Sequence, residues 1–211
     1  MELLVATLAH TSKANETDTA ARMRLISASL RNAPGVMDVR VFQSRESESF
    51  YLLLTTWENE ELWHKAQERY NPKELLQASE LLTMPSRQWL MHYLWGYSRP
   101  SAEAAIAAAH IATISPEQAE QIQRSWLEGL RRQANQPTMS FAFLARGRSE
   151  EVELPSVNGT TPFSSTFLNV ICWPGETQRR EFYSDPIYKA LMGALNSIGV
   201  VRMLSLYPLS N

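Results

Sequence analysis

Histidine is the side chain whose ordinary pKa lies closest to neutral pH, and the sequence contains four of them. His64 follows Trp63 in a segment with helical periodicity. There an imidazole could serve as a general base or hydrogen-bond donor, and the indole could form the floor of a pocket. Tyr70 ends the same segment and would add a phenol. The alternatives are a solvent-facing His64 and a Trp63 that belongs to the core.

Aromatic residues alternate along the segment Gln88–Tyr97, which predicts a strand. Trp89, Tyr93 and Trp95 share one face, and His92 lies on the other face among leucines. Such an aromatic row could line a pocket for a flat apolar ligand, or it could be the interface between two sheets. We take His64 as the candidate catalytic residue and the following as candidate ligand-binding residues: Trp63, Tyr70, Trp89 and His92.

For the other reactive side chains the sequence favours structural roles. His110 lies in an alanine-rich strand and, like His92, is typical of a buried histidine with its hydrogen bonds satisfied. Cys172, the one cysteine, lies within an apolar strand beside Trp173 and has no neighbouring base, which favours a small buried apolar residue. Four scattered histidines and one cysteine predict no metal site.

Composition excludes several classes of partner. The chain has 211 residues, 44% of them hydrophobic, with a formal net charge of −2. Without an excess of positive charge, nucleic acid is not an expected partner. The sequence has no apolar run long enough for a membrane helix and no segment typical of a targeting signal. We therefore expect a cytoplasmic protein that has no membrane contact.

Two successive segments show the same order of predicted elements, β-α-β-β-α-β. In the first half the strands are Glu2–His10, Val36–Phe42, Ser49–Trp57 and Gln88–Tyr97, with one helix ending near Asn32 and a second, interrupted helix ending in Lys73–Leu82. In the second half the strands are Ala104–Ile114, Met139–Ala145, Thr166–Trp173 and Val200–Tyr207, with helices over 116–133 and 176–195. Internal repetition at this scale decides the fold class.

Particular residues align the two halves. The third strand of each half ends in tryptophan, Trp57 and Trp173, and each following helix is interrupted by a dipeptide, Asn71-Pro72 or Asp185-Pro186. We predict two repeats, over 1–98 and 102–211, with a polar insertion near 147–164 in the second. A single α+β domain with a coincidentally repeated order is the alternative.

Two short motifs of the first half carry a resemblance to a known family. Gly35-Val36-Met37-Asp38-Val39 precedes the second strand, and the segment Thr55–Glu61 opens the second helix with tryptophan and carboxylates. Both resemble the antibiotic-biosynthesis-monooxygenase-like group of dimeric α+β barrels. The resemblance implies two ferredoxin-like repeats packed sheet to sheet as an intrachain barrel, hence a pseudo-dimer within one chain, with a further homodimer left open.

The resemblance also implies a ligand pocket between the sheet and the helices. Some members oxygenate aromatic molecules without a cofactor, others degrade haem, and many have no known activity. The haem-degrading pattern of a strand Asn with a helical Trp and His does not match here: the first strand offers Thr7 and His10, and the second half has Arg179-Arg180 where a histidine would lie. We expect no cofactor and a small apolar or aromatic substrate; the alternative is a non-catalytic ligand-binding or stress-related protein.

Overall fold

A computed structural model describes residues 1–45, 49–77, 80–99, 102–136, 138–147 and 165–209. The chain divides into two compact units, unit 1 with residues 1–92 and 205–211 and unit 2 with residues 93–204. The division falls within two strands, so each of these strands contributes residues to both units. The repeat boundaries expected from the sequence, at 98 and 102, stay a prediction. The expected polar insertion lies, beyond Gly147, outside the described residues.

Unit 1 has the predicted order of elements. They are β1 (Leu3–Thr11), α1 (Glu16–Leu30), β2 (Val36–Ser44), β3 (Ser49–Trp57), α2 (Glu60–Tyr70), α3 (Pro72–Gln77) and the start of β4 (Arg87–Ser98). Its sheet has the order β4-β1-β3-β2, followed by the last residues of β8 (Gly199–Pro208). Leu3, Val5 and Ala9 of β1 pack with Trp57 and with the helices in one apolar core.

Unit 2 repeats that order. Its elements are β5 (Ile106–Ile114), α4 (Pro116–Ala134), β6 (Phe141–Gly147), β7 (Ser165–Trp173), α5 (Glu176–Ser184), α6 (Pro186–Ile198) and most of β8. Its sheet has the order β8-β5-β7-β6-β4. Ile106, Ala108 and Ala112 of β5 face the helices and pack with Trp126, Trp173 and other apolar residues.

The central ladders of the two units share one register. In unit 1, β1 pairs antiparallel with β3 from Leu3 opposite Trp57 to Thr11 opposite Ser49. In unit 2, β5 pairs with β7 from Ile106 opposite Trp173 to Ile114 opposite Ser165. Every position of one ladder therefore has a counterpart in the other. The fold class predicted from the sequence is confirmed.

Some element bounds differ from the sequence predictions. Helix α1 ends at Leu30, slightly before the predicted end near Asn32, and it begins at Glu16 after a short 3-10 turn in which the Ser12 hydroxyl accepts a hydrogen bond from the Asn15 amide. Helix α3 ends at Gln77 instead of Leu82. Glu80 takes a left-handed conformation at φ +53°, and Leu82 forms a β-bridge with Thr11. Both are incompatible with a continuing helix.

Gly35, in the first motif, has a conformation that only glycine adopts easily. Its φ is +85°, and a Cβ atom there would lie 2.7 Å from the Cβ of Leu62. The Gly35 carbonyl accepts a hydrogen bond from the amide of Glu58, at 2.9 Å. This glycine therefore lets the chain pass close to the start of α2.

Asp185 caps α6, and we expect Asp185→Ala to lower the free energy of unfolding by about 1 kcal/mol. Its carboxylate accepts hydrogen bonds from the amides of Ile187 and Tyr188, both at 2.9 Å. Ser115 is the matched control, because it precedes α4 at the same place but makes no capping hydrogen bond. Chemical denaturation of both variants measures the difference. Equal losses in Asp185→Ala and Ser115→Ala would contradict the capping role.

None of the helices in the described part of the chain has both the length and the apolar character needed to cross a membrane.

Candidate active site

The structure places His64 in solvent. Its side chain is 62% exposed, and its Nε2 lies 3.4 Å from a carboxylate oxygen of Glu60, one turn earlier on α2. The edge of the imidazole also contacts the indole of Trp63, with 4.7 Å between ring centroids. This position favours the alternative that the sequence left open, a solvent-facing histidine on an amphipathic helix.

The other candidate residues of the first repeat do not converge on one site. Trp63 is buried in the core of unit 1, and Tyr70 packs against that core with the Arg69 guanidinium 5.4 Å from its ring. Trp89 lies opposite Ala6, whereas its neighbour Leu90 lies opposite Val5 and packs in the core with the helices. Trp89 and His92 therefore point to opposite faces of β4. The predicted roles of these residues stay predictions.

We expect His64→Gln to change the free energy of unfolding by less than about 0.5 kcal/mol at neutral pH. The side chain is exposed, and its polar contact is the i,i+4 pair with Glu60. Chemical denaturation of wild type and variant measures this difference. A loss above about 1 kcal/mol would show that His64 is held in place more firmly than its exposure indicates.

In unit 2 a fully buried histidine faces the helices. His110 lies in the middle of β5, between Ala108 and Ala112, and its exposed fraction is 0%. Its Nε2 lies 3.1 Å from the hydroxyl of Tyr183 on α5. Burial lowers the pKa of His110 to about 4, although the side chain and backbone of Asn169 partly oppose this shift. His110 is therefore a neutral imidazole at physiological pH.

Aromatic rings surround the His110–Tyr183 pair. The Tyr183 ring lies 5.5 Å from the Trp173 ring and 5.8 Å from the Tyr188 ring, and Phe182 contacts Tyr188 at 4.4 Å. Burial raises the pKa values of both tyrosines, and Arg179 partly opposes this for Tyr183. Both phenols therefore keep their protons at neutral pH. Tyr183 is partly buried, so the cluster reaches the surface along α5.

Asn169 completes the polar part of this layer. It lies on β7 directly opposite His110 and is itself fully buried. Its Nδ2 donates a hydrogen bond to the carbonyl of Phe143, at 2.7 Å. A neutral imidazole, a phenol and an amide are thus held together on one side of the sheet, between strands β5 and β7 and helix α5.

Several buried polar atoms of this layer have no hydrogen bond of normal geometry to a described residue. They include the indole Nε1 of Trp173, the indole Nε1 of Trp126, the hydroxyl of Tyr188 and Oδ1 of Asn169. Trp126 and Tyr188 are near enough for the indole to lower the Tyr188 pKa slightly. Buried polar groups are usually paired, so these atoms are the points of this layer at which a ligand or water could form a hydrogen bond.

The corresponding layer of unit 1 has different residues at the positions of this polar group. Thr7 and Leu53 occupy the positions of His110 and Asn169. The Thr7 hydroxyl accepts from Gln88, and Thr55 accepts from the indole of Trp57 at 2.9 Å, where unit 2 has Ile171. Unit 1 also has buried polar atoms without a hydrogen bond of normal geometry to a described residue, among them Trp63 Nε1 and the Ser27 hydroxyl. What distinguishes unit 2 is a buried histidine opposite a buried asparagine, and we take this layer as the candidate site.

Comparison with known proteins gives one family match, in the first half of the chain. The family model for antibiotic biosynthesis monooxygenases matches residues 3–70, from β1 to the end of α2. Residues 3–70, about a third of the chain, are therefore similar to this family. No curated protein matches this chain.

Solved structures resemble this chain over nearly its whole length. An anthrone oxidase-like protein is 14% identical, with a TM-score of 0.74 over 98% of this chain and 91% of that one. A Fusobacterium nucleatum protein, provisionally assigned as a monooxygenase, is 8% identical, with a TM-score of 0.75 over 99% and 93%. A haem-degrading enzyme of Listeria monocytogenes is 9% identical, with a TM-score of 0.51 over 99% and 100%. At these identities the likeness shows the fold alone.

The match to the monooxygenase family covers unit 1, whereas the candidate site lies in unit 2, beyond residue 70. The roles of His110, Asn169 and Tyr183 therefore rest on the geometry of this chain. Within the described ranges, no group of three or more His, Cys, Asp or Glu side chains could hold a metal ion. A separate groove of about 490 Å³ lies between α4 and α6, lined mainly by apolar residues such as Ile122, Ile187 and Leu191.

Proposed function

We propose that the helix-facing layer of unit 2 binds a small aromatic molecule and oxygenates it with molecular oxygen and no cofactor. The observation that carries the proposal is the buried His110–Tyr183 pair, 3.1 Å apart, beside buried polar atoms such as Trp173 Nε1 that have no hydrogen bond of normal geometry to a described residue. Aromatic walls supply apolar contact, and the unpaired atoms supply points at which a ligand could be oriented. The anthrone oxidase-like and monooxygenase-like relatives support this reaction class.

The pair can move a proton. A neutral His110 has one ring nitrogen free to accept a proton, and Tyr183 connects that nitrogen to the partly exposed end of the cluster. A substrate proton would pass to the Tyr183 oxygen while the Tyr183 proton passes to His110 Nε2. Because burial makes His110 a weak base, the reaction suits a substrate whose anion is stabilised by resonance.

Such an anion can reduce oxygen without a metal or flavin. In the simplest balanced reaction a CH₂ group between aromatic rings becomes a carbonyl. The substrate supplies four electrons, one oxygen atom stays in the carbonyl, and the other leaves as water with the two hydrogens. The protein binds and orients the substrate, removes the first proton and keeps water away from the anion.

We propose that haem has no part in this reaction, because the residues of unit 2 do not fit it. An axial histidine needs one ring nitrogen directed at the iron. Nε2 of His110 lies against the Tyr183 hydroxyl, and the other side of the ring lies beside Asn169. A haem-degrading role would require one of these contacts to be broken and a nitrogen of the fully buried ring to reach the iron. Titration of the protein with haemin and measurement of the Soret band tests this point.

The proposed function is tested with anthrone as probe. Quenching of tryptophan fluorescence measures binding, and oxygen uptake above the spontaneous rate at pH 6.5 measures turnover. With ¹⁸O₂ we expect one labelled oxygen atom in the quinone product. His110→Phe should abolish the oxygen uptake above the spontaneous rate, because phenylalanine cannot accept the proton.

Two outcomes contradict the proposal in different ways. Binding without oxygen uptake by wild type would leave a ligand-binding protein, the alternative considered from the sequence. Oxygen uptake that persists in His110→Phe would place the chemistry elsewhere in the chain. Intact folding of the variant is checked by near-ultraviolet circular dichroism, which the aromatic cluster of unit 2 should dominate.

A further inference from the structure

Asn169 is a polar residue within an apolar strand. Its neighbours on the same face of β7, Phe167 and Ile171, belong to the core of unit 2. An asparagine buried completely among them has a cost of about 1–3 kcal/mol unless its polar atoms are paired. Since Leu53 takes the same position in unit 1, the fold itself does not need a polar residue there.

The orientation of the Asn169 amide is fixed by one hydrogen bond. Nδ2 donates to the Phe143 carbonyl at 2.7 Å, on the neighbouring strand β6. The Asn169 side chain also interacts with the His110 ring on β5 and raises the pKa of that imidazole. Among the described residues, Oδ1 has no other hydrogen bond of normal geometry. Toward β5 the Asn169 side chain can therefore act only as a hydrogen-bond acceptor.

His110 is the residue that faces this acceptor. Directly opposed residues of an antiparallel pair have Cβ atoms about 4.5–5.5 Å apart on the same face. One ring nitrogen of His110, Nε2, is already engaged with the Tyr183 hydroxyl. The remaining nitrogen, Nδ1, is buried and also lacks a hydrogen bond of normal geometry to a described residue. His110 Nδ1 as donor and Asn169 Oδ1 as acceptor can therefore form a hydrogen bond with each other.

We infer that Asn169 is a positioning residue that holds the hydrogen of His110 on Nδ1. Nε2 then carries the lone pair, and Tyr183 must donate its hydroxyl hydrogen to it. The phenol oxygen consequently presents only acceptor lone pairs to anything bound at the partly exposed end. Asn169, without touching a ligand, decides that Tyr183 receives a proton from a substrate instead of donating one. This last step rests on the proposed function; the tautomer does not.

The tautomer is measured in the free protein. Nitrogen-15 NMR of protein labelled in its histidine rings distinguishes a protonated from an unprotonated ring nitrogen. In wild type we expect His110 to be protonated on Nδ1 and unprotonated on Nε2. In Asn169→Leu, which copies the residue found in unit 1, the tautomer ratio should shift toward Nε2–H by about tenfold, the effect of one lost hydrogen bond. Ile171→Val, on the same face of β7, is the matched control and should leave the ratio unchanged.

A second variant tests the acceptor itself. Asn169→Asp supplies oxygen acceptors and no donor, so Nδ1 should stay protonated whether the imidazole is neutral or charged. Wild type protonated on Nε2, or an unchanged ratio in Asn169→Leu, would overturn the inference. If Asn169→Leu does not fold, the wild-type tautomer and Asn169→Asp still decide it. Because no substrate is used, failure of the anthrone assay would overturn the proposed function and leave this inference standing.

Discussion

Lowering the pH from 7 to 4 is expected to remove about 3 kcal/mol of unfolding free energy through His110 alone. Burial lowers the pKa of this imidazole from 6.5 to about 4. Each unit of pKa difference between the folded and unfolded states corresponds to about 1.4 kcal/mol. Because His110 is completely buried, solvent does not screen this effect.

The direction follows from where the proton binds. Below pH 6.5 His110 binds a proton in the unfolded chain but stays neutral in the folded protein. A lower pH therefore favours unfolding. The stabilisation is complete above the unfolded pKa of 6.5, falls as the pH drops, and levels off below about 4. The groups that face the ring are the Tyr183 phenol on α5, the Tyr188 ring on α6 and the Asn169 amide on β7, all neutral in this range. Arg179 lies 5.8 Å from the Tyr183 ring and keeps its charge throughout.

Urea denaturation at several pH values between 7 and 4, for wild type and His110→Phe, measures this contribution. Carboxylates also titrate in the lower part of the window, so the difference between the two proteins is the quantity of interest. It should change by about 3 kcal/mol from pH 7 to pH 4. His64→Gln removes an exposed imidazole instead and should follow the wild-type curve. Parallel curves for wild type and His110→Phe would contradict the burial of a neutral histidine.

The sequence predicted the scaffold well, because the scaffold depends on local signals that repeat. Alternating apolar residues, the tryptophans at the ends of β3 and β7, and the dipeptides Asn71-Pro72 and Asp185-Pro186 each report on their own segment. The errors lie where a single backbone conformation decides the boundary. The left-handed Glu80, after α3, has no pattern in the surrounding sequence that would reveal it.

The candidate site was harder to predict, because its members come from separate elements. The sequence predicts a buried structural role for His110 and indicates His64 as the candidate catalytic residue. The burial of His110 was interpreted correctly, but its contact with Tyr183 joins residues 73 positions apart. One local signal was available: Asn169 interrupts an apolar strand at the position where the first repeat has Leu53. Comparison of the two repeats position by position would have drawn attention to it.

Removing a single hydroxyl group from Tyr183 is expected to lower kcat/KM for anthrone oxidation by about 10²–10⁴-fold, the usual range for the loss of a proton-transfer group. In Tyr183→Phe the ring contacts with Trp173 and Tyr188 remain, so the apolar part of the site is retained. What is lost is the one group that connects His110 Nε2 with the partly exposed end of the cluster. Steady-state oxygen uptake over a range of anthrone concentrations gives kcat and KM separately.

The loss should appear mainly in kcat if Tyr183 transfers the proton, because removal of ordinary binding contacts raises KM instead. Tyr207→Phe is the matched control: it removes a phenol from a tyrosine that is 45% exposed, and its rate should equal that of wild type. Tyr183→Phe also leaves Nε2 of His110 buried without its partner, which should lower the unfolding free energy by about 1–3 kcal/mol. A variant that loses this stability and keeps its kcat would show that Tyr183 only satisfies His110. A loss of kcat measured where the variant is fully folded would instead separate proton transfer from structural support.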